Sequence, residues 1–113
     1  MKLLFEYSII NEAFAKADLI SAIKNKNVVK ISYEGDVGNR LVEPRLIGRT
    51  IAGNLATRAF QISGPTNTSN MQWKIFLLSK IDSLEVTEEN ISDTRPQYNP
   101  HGDEMFAEII IQN

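Results

Sequence analysis

Residues 55–63, Leu55-Ala56-Thr57-Arg58-Ala59-Phe60-Gln61-Ile62-Ser63, and residues 73–81, Trp73-Lys74-Ile75-Phe76-Leu77-Leu78-Ser79-Lys80-Ile81, decide how this chain folds. Between them runs Gly64-Pro65-Thr66-Asn67-Thr68-Ser69-Asn70, a string of turn formers, so the pair predicts a hairpin with a long tip. In the first run the two-residue period puts Ala56, Arg58, Phe60 and Ile62 on one face and Leu55, Thr57, Ala59, Gln61 and Ser63 on the other. The second run is apolar on both parities, as for a strand covered on both sides. Lys74, Lys80 and Arg58 are set into these strands, where long cations are not favoured and need a reason.

Upstream, residues 28–33 are β-branched and aromatic, and residues 40–47 alternate, with Pro44 marking an edge, an end or a bulge. Gly53 supplies a positive φ for the turn that follows. Ile10, Ala13, Phe14 and Ala17 have amphipathic-helix spacing, capped by Ser8 or Asn11, although residues 2–7 also suit a short strand. Asp18 is placed to cap a second helix running through Lys26. Downstream, residues 82–87 continue or end the last strand and residues 88–92 leave the sheet. An irregular arm with Pro96 and Pro100 follows, with Tyr98 as a packing anchor, and residues 105–111 are again strongly β-prone. The expected fold is thus α+β or mainly β. It is a small, strongly curved antiparallel sheet or barrel with one or two N-terminal helices and a C-terminal arm that carries a strand. Within one domain, residues 1–26 form the helical part, 27–92 the barrel and 93–113 the arm.

The chain has 113 residues, 42% hydrophobic and 23% charged, which suits one soluble domain with one core. Without cysteine there is no disulfide framework and no thiolate zinc site. No apolar run has membrane-spanning length and no secretory signal is present, so the expected setting is cytoplasmic, without a membrane. In that setting, Asn67-Thr68-Ser69 and Asn90-Ile91-Ser92 match the glycosylation pattern by chance. Enzyme chemistry is poorly supported: there is one histidine, His101, no cysteine nucleophile and no glycine-rich phosphate loop. His101 with its neighbouring acids is a weak metal cluster, so no metal and no cofactor are expected.

The charge is distributed unevenly. Residues 1–39 balance, residues 40–80 carry a local +5 with Glu43 the lone acid, and residues 81–113 carry a local −7 with Arg95 the lone base. Either the acidic tail lies against the basic sheet and offsets it, or the sheet faces an external anion and the tail is solvated elsewhere.

At this point the framework residues carry a resemblance. Over residues 18–92 the order of elements resembles the WYL domain, a small SH3-like (Sm-like) β-barrel of bacteria and phages. Arg40-Leu41-Val42-Glu43-Pro44 is similar to that family's R-x-V-x-P strand, and Lys74-Ile75-Phe76-Leu77-Leu78-Ser79-Lys80-Ile81 to its R-x-F-R-L-D-R-I run. The naming Trp-Tyr-Leu triplet would fall near Leu55-Ala56-Thr57 and is absent, while Ala59-Phe60 matches the small-aromatic pair after it. The resemblance implies a ligand-sensing part of the kind found behind DNA-binding domains, here free-standing or accessory because little sequence precedes Val28.

Arg45, Arg58, Lys74 and Lys80 lie on adjacent predicted strands, interleaved with Phe60, Trp73 and Phe76. Cations for phosphates and rings for bases suit single-stranded DNA or RNA, or a nucleotide-like ligand, with Gln61 reading a base edge or holding a phosphate. The plainer reading makes the aromatics core and sends the basic heads to water at the strand ends. The nucleic-acid version requires Arg58 and Lys74 to share one anion. It fails if their heads lie on opposite sides of the barrel, or if each is locked to an acid of residues 82–108. The other functional class is a protein-interaction or assembly module on the same barrel. Residues 105–111 are too apolar to hang in water and are expected to pack with residues 1–17, in cis or by exchange within a homo-oligomer.

Overall fold

In the computed structural model the described residues are 4–66, 72–92, 95–100 and 102–113, with side chains from Glu12 onward. One helix precedes six strands: α1 (Leu4–Asn25), β1 (Asn27–Tyr33), β2 (Arg40–Thr50), β3 (Leu55–Ser63), β4 (Trp73–Leu77), a 3₁₀ turn (Leu78–Lys80), β5 (Ile81–Asn90) and β6 (Phe106–Gln112). All strand pairs are antiparallel, in the order β4-β3-β2-β1-β5, with β6 added to β2.

The helix is single. Ala15, Leu19, Ala22 and Ile23 are buried at i, i+4, i+7 and i+8, so one apolar face runs unbroken through Asp18. Asp18 is exposed within that helix and caps nothing, because an aspartate on the solvent side costs too little to interrupt a well-packed face. The strand alternative for residues 2–7 is likewise replaced by helix from Leu4 onward. Lys26, with φ of 56°, turns the chain from α1 into β1.

β2 is the spine. One of its edges pairs with β3 from Leu41 to Arg49. The other pairs with β1 at Arg40–Val42 and with β6 from Leu46 to Thr50. Pro44 sits in the gap where that edge changes partner, beside a register shift between Pro44 and Leu46, so its missing N–H interrupts no ladder there. Gly48 admits β6: a Cβ there would stand 2.1 Å from the Glu108 carbonyl oxygen. Gly53, with φ of 90°, closes the β2–β3 turn as its sequence position suggests.

The run expected as a single strand over residues 73–86 is broken. Leu78–Lys80 turn the chain, and β5 leaves β4 to pair with β1 at the far end of the sheet, reaching Asn27 through Asn90. Residues 88–90 therefore stay in the sheet instead of leaving it. The sheet is strongly curved, since its two end strands are joined by a three-residue turn, but β4 and β5 do not pair and the sheet does not close into a barrel. On one face Val29, Ile31, Val42, Ile47, Leu55, Ala59, Phe76, Leu78 and Ile81 meet the helix residues. On the other, Leu46, Ala56 and Phe106 form a smaller cluster with Ile75 and Leu77.

β6 forms as a strand over Phe106–Gln112, while the side chains of residues 1–11 lie outside the described residues. Its ladder partner is β2 of the same chain, not the N-terminal elements. The exposed edge of β2 offers a full row of backbone groups, which a helix cannot. No helix of the described residues is long and apolar enough to cross a membrane.

Candidate ligand cleft

Register places the polar residues. Ile75, Arg58, Leu46 and Gln112 form one cross-strand row over β4, β3, β2 and β6, and Trp73, Phe60 and Glu43 form the next. Both rows lie on the face turned away from the helix. Lys74 pairs with Ala59 and therefore projects to the opposite face from Arg58.

The arm after β5 lies across the two rows. Arg58 donates to Asp103 through Nε at 2.7 Å and Nη2 at 3.2 Å. The Tyr98 ring stacks on the Trp73 indole at 5.2 Å between centroids and 16° between planes. Trp73 meets Phe60 edge-on at 5.2 Å and donates its Nε1 proton to the Pro96 carbonyl at 2.7 Å. Arg95 donates to both Glu43 oxygens at 2.8 and 2.9 Å and lies 4.3 Å from the Phe60 ring centroid. Glu43, only 1% exposed, also accepts the Ser92 N–H. Arg45 is buried, donates to the Ser92 carbonyl and to Asn113 Oδ1, and lies over the Tyr98 ring; its Nε has no partner among the described residues.

Between arm and sheet opens a cleft of about 440 Å³. Arg58, Trp73, Tyr98, Asn99, Asp103 and Gln112 supply its polar and aromatic lining. Gln112 donates to the Asn99 carbonyl at 2.8 Å and to the Tyr98 hydroxyl at 3.2 Å, fixing one wall.

The electrostatics follow the pairing. Burial raises the Asp103 carboxyl, but the Arg58 hydrogen bond, the Met105 N–H and the Arg58 charge together hold it below the ordinary range. For Glu43, burial is again opposed and outweighed, here by Arg95, the Ser92 N–H and Arg45. Burial pushes the Tyr98 phenol up.

The five residues expected to share a binding face are not brought together. Arg58 is on the cleft, in an ion pair. Arg45 is beneath the arm. Gln61 is on the other face, accepting from Arg40 at 3.0 Å and donating to the carbonyls of Gly64 and Pro65. Lys74 donates to Thr66 Oγ1 at 2.6 Å on that same side, where burial and the Arg40 charge lower its pKa. Lys80 is exposed in the 3₁₀ turn. An anion shared by Arg58 and Lys74 is thereby ruled out, because one register step in a strand reverses the side-chain direction, and the nucleic-acid face built on that pair falls with it. Tyr98 is a packing anchor as expected. Sequence reasoning missed Asp103 as the partner of Arg58, and Arg40, which forms a bidentate pair with Asp36 and packs over Tyr33 and Phe76. His101 and residues 67–70 of the hairpin tip lie outside the described residues.

No family model matches the chain, and no curated protein does. Among solved structures it is similar to proteasome accessory factor B/C (PafBC) of Arthrobacter aurescens, with a TM-score of 0.60 at 21% identity. The match covers 73% of this chain and spans 12% of PafBC. It is a likeness of fold alone.

Proposed function

We propose that this chain is a non-enzymatic regulatory or accessory module of WYL-like fold. With a face shared by Arg58 and Lys74 gone, this reading rests on a different site, the cleft between Arg58 and Trp73, where the chain binds a nucleotide-like anion or one nucleotide unit of a single strand. The observation that supports this is their placement on one sheet face, lining a cleft of about 440 Å³. A guanidinium suits phosphate, an indole suits a base, and the volume falls in the range of small-ligand sites. The cytoplasmic, bacterial or phage setting belongs to the same reading through the WYL resemblance. Trp73 is the chain's one tryptophan, so its fluorescence reports the site directly. Titration with a short oligothymidylate at low salt is expected to quench it, with affinity falling as salt rises because counterions are released. No quenching at low salt, or binding indifferent to salt, overturns the proposal.

A second reading, a protein-assembly module, is favoured by one feature. Among the described residues β6 pairs on one edge only. In β6 and just before it Met105, Ile109 and Ile110 are 51%, 39% and 36% exposed. An unprotected apolar edge invites a strand from another chain. Light scattering over a concentration series tests it: self-association that Ile109→Lys removes supports a homo-oligomer, and a constant monomer mass excludes one.

A further inference from the structure

The arm makes, with two residues of the cleft, the contacts that a nucleotide would make there. Tyr98 lays a flat ring on the Trp73 indole, where a base would stack. Asp103 puts two carboxylate oxygens on the Arg58 guanidinium, where a phosphate would sit. Both contacts come from one short stretch of chain, and that stretch is anchored independently of them. Arg95 is clamped to buried Glu43 at its start, and β6 is paired to β2 at its end. Withdrawing Tyr98 and Asp103 leaves both anchors in place, at the cost of the Gln112 bonds to Tyr98 and Asn99 and of the Tyr98 hydroxyl's bond to the Asn113 carbonyl.

We infer that the stretch carrying Tyr98 and Asp103 is an internal pseudo-ligand, holding the Trp73–Arg58 site closed until a nucleotide unit displaces its ring and its carboxylate. The inference rests on the reading of the cleft as a nucleotide site and adds its regulation. The geometry accounts for a feature that otherwise argues against binding: Arg58, on the basic stretch of the chain, is already neutralised. Competition within the chain lowers apparent affinity by the fraction of molecules whose arm is open, so weakening the internal contact strengthens external binding. The shared ligand chemistry is a planar ring joined to a phosphate, which a free nucleotide and a strand both present.

The test compares the full chain with Asp103→Asn, Arg58→Gln and the double variant. Each is titrated with fluorescein-labelled oligothymidylate and, in a second arm, with thymidine monophosphate. Asp103→Asn keeps the side-chain shape and removes the charge. It is expected to bind on the order of tenfold more tightly than the unaltered chain, and Arg58→Gln is expected to abolish the gain. Tightening in the monophosphate arm as well identifies a free nucleotide as a sufficient source, and tightening with the strand alone identifies the strand. Equal binding by Asp103→Asn and the unaltered chain, lost in Arg58→Gln, overturns the pseudo-ligand while leaving the nucleotide site standing. A gain that survives Arg58→Gln reflects net charge alone and also overturns it. No binding by any of the four proteins removes both the site and its regulation. Since folding of the variants is a precondition, their melting curves and Trp73 emission are recorded first, and Asp103→Ser serves as the second removal of charge.

Discussion

Glu43 and Arg95 are each the lone residue of their charge sign in their part of the chain, and they find one another. The carboxylate, alone among the cations of residues 40–80, meets the guanidinium, alone among the acids of residues 81–113, in a bidentate pair at 2.8 and 2.9 Å. Glu43 is buried under Phe60 and the arm, so the pair fixes where the arm crosses the sheet.

Removing the cation should therefore strand a buried charge. Arg95→Ala is expected to destabilise the fold by about 2–4 kcal/mol, toward the lower end because Arg95 itself is partly exposed. Adding Glu43→Leu to Arg95→Ala should recover part of the loss, since no buried charge is then left alone. Urea unfolding of the two single variants and the double variant measures the coupling. Additive losses would show the pair to be idle.

Acid should loosen the same region. Glu43, Asp103 and Asp36 all have folded pKa values below their unfolded ones, Asp36 chiefly through its Arg40 hydrogen bonds. A depressed carboxyl contributes stability that is complete above its unfolded pKa, about 4, and is lost as pH falls through the folded value. The melting temperature is therefore expected to be level with respect to these groups near neutrality and to fall below about pH 4–5. Glu43→Gln should give a shallower acid limb than the unaltered chain. Identical limbs would mean that Glu43 does not titrate with unfolding.

Gly48 sets how closely β6 approaches β2. In Gly48→Ala the new methyl would meet the Glu108 carbonyl at 2.1 Å, and backbone cannot yield as a side chain does. Loss of about 2–4 kcal/mol is expected, together with faster amide exchange confined first to residues 106–112. Unchanged protection over β6 would contradict the observed pairing.

The Tyr98–Trp73 stack has its own optical readout. Tyr98→Leu removes the ring that covers one side of the indole and is expected to shift Trp73 emission to longer wavelength. The secondary structure should remain, because both anchors of the arm stay in place. An unmoved emission maximum would show that the indole is not covered by that ring.

The strands were largely readable because period-two alternation survives burial: the parities read for residues 55–63 are those in the sheet, where Leu55 and Ala59 join the main core and Ala56 the smaller one. Asp18 misled because cap preference is local, whereas continuity of Ala15, Leu19, Ala22 and Ile23 is a tertiary matter. Leu78–Lys80 were unreadable as a turn because the run around them is apolar on both parities and contains neither Gly nor Pro. Charge alone groups Lys74 with Arg58, but Lys74 faces Ala59 across β3 and β4, which turns it away from Arg58. The Glu43–Arg95 pair had a signal, two lone opposite charges, but no distance along the sequence could turn it into a contact.

The change of partner along β2 also sets a schedule for synthesis. The backbone of residues 46–50 is completed by a strand made more than half a chain later, at residues 106–112. Until those residues leave the ribosome, the central strand of the sheet has a bare flank, and Leu46 lacks the cover of Phe106. Pairings so distant in sequence form slowly, and open flanks in the meantime favour aggregation. The flank of β2 is thus bare from the time residue 50 is made until residues 106–112 are, and slowing translation beyond Asn90 would lengthen that interval.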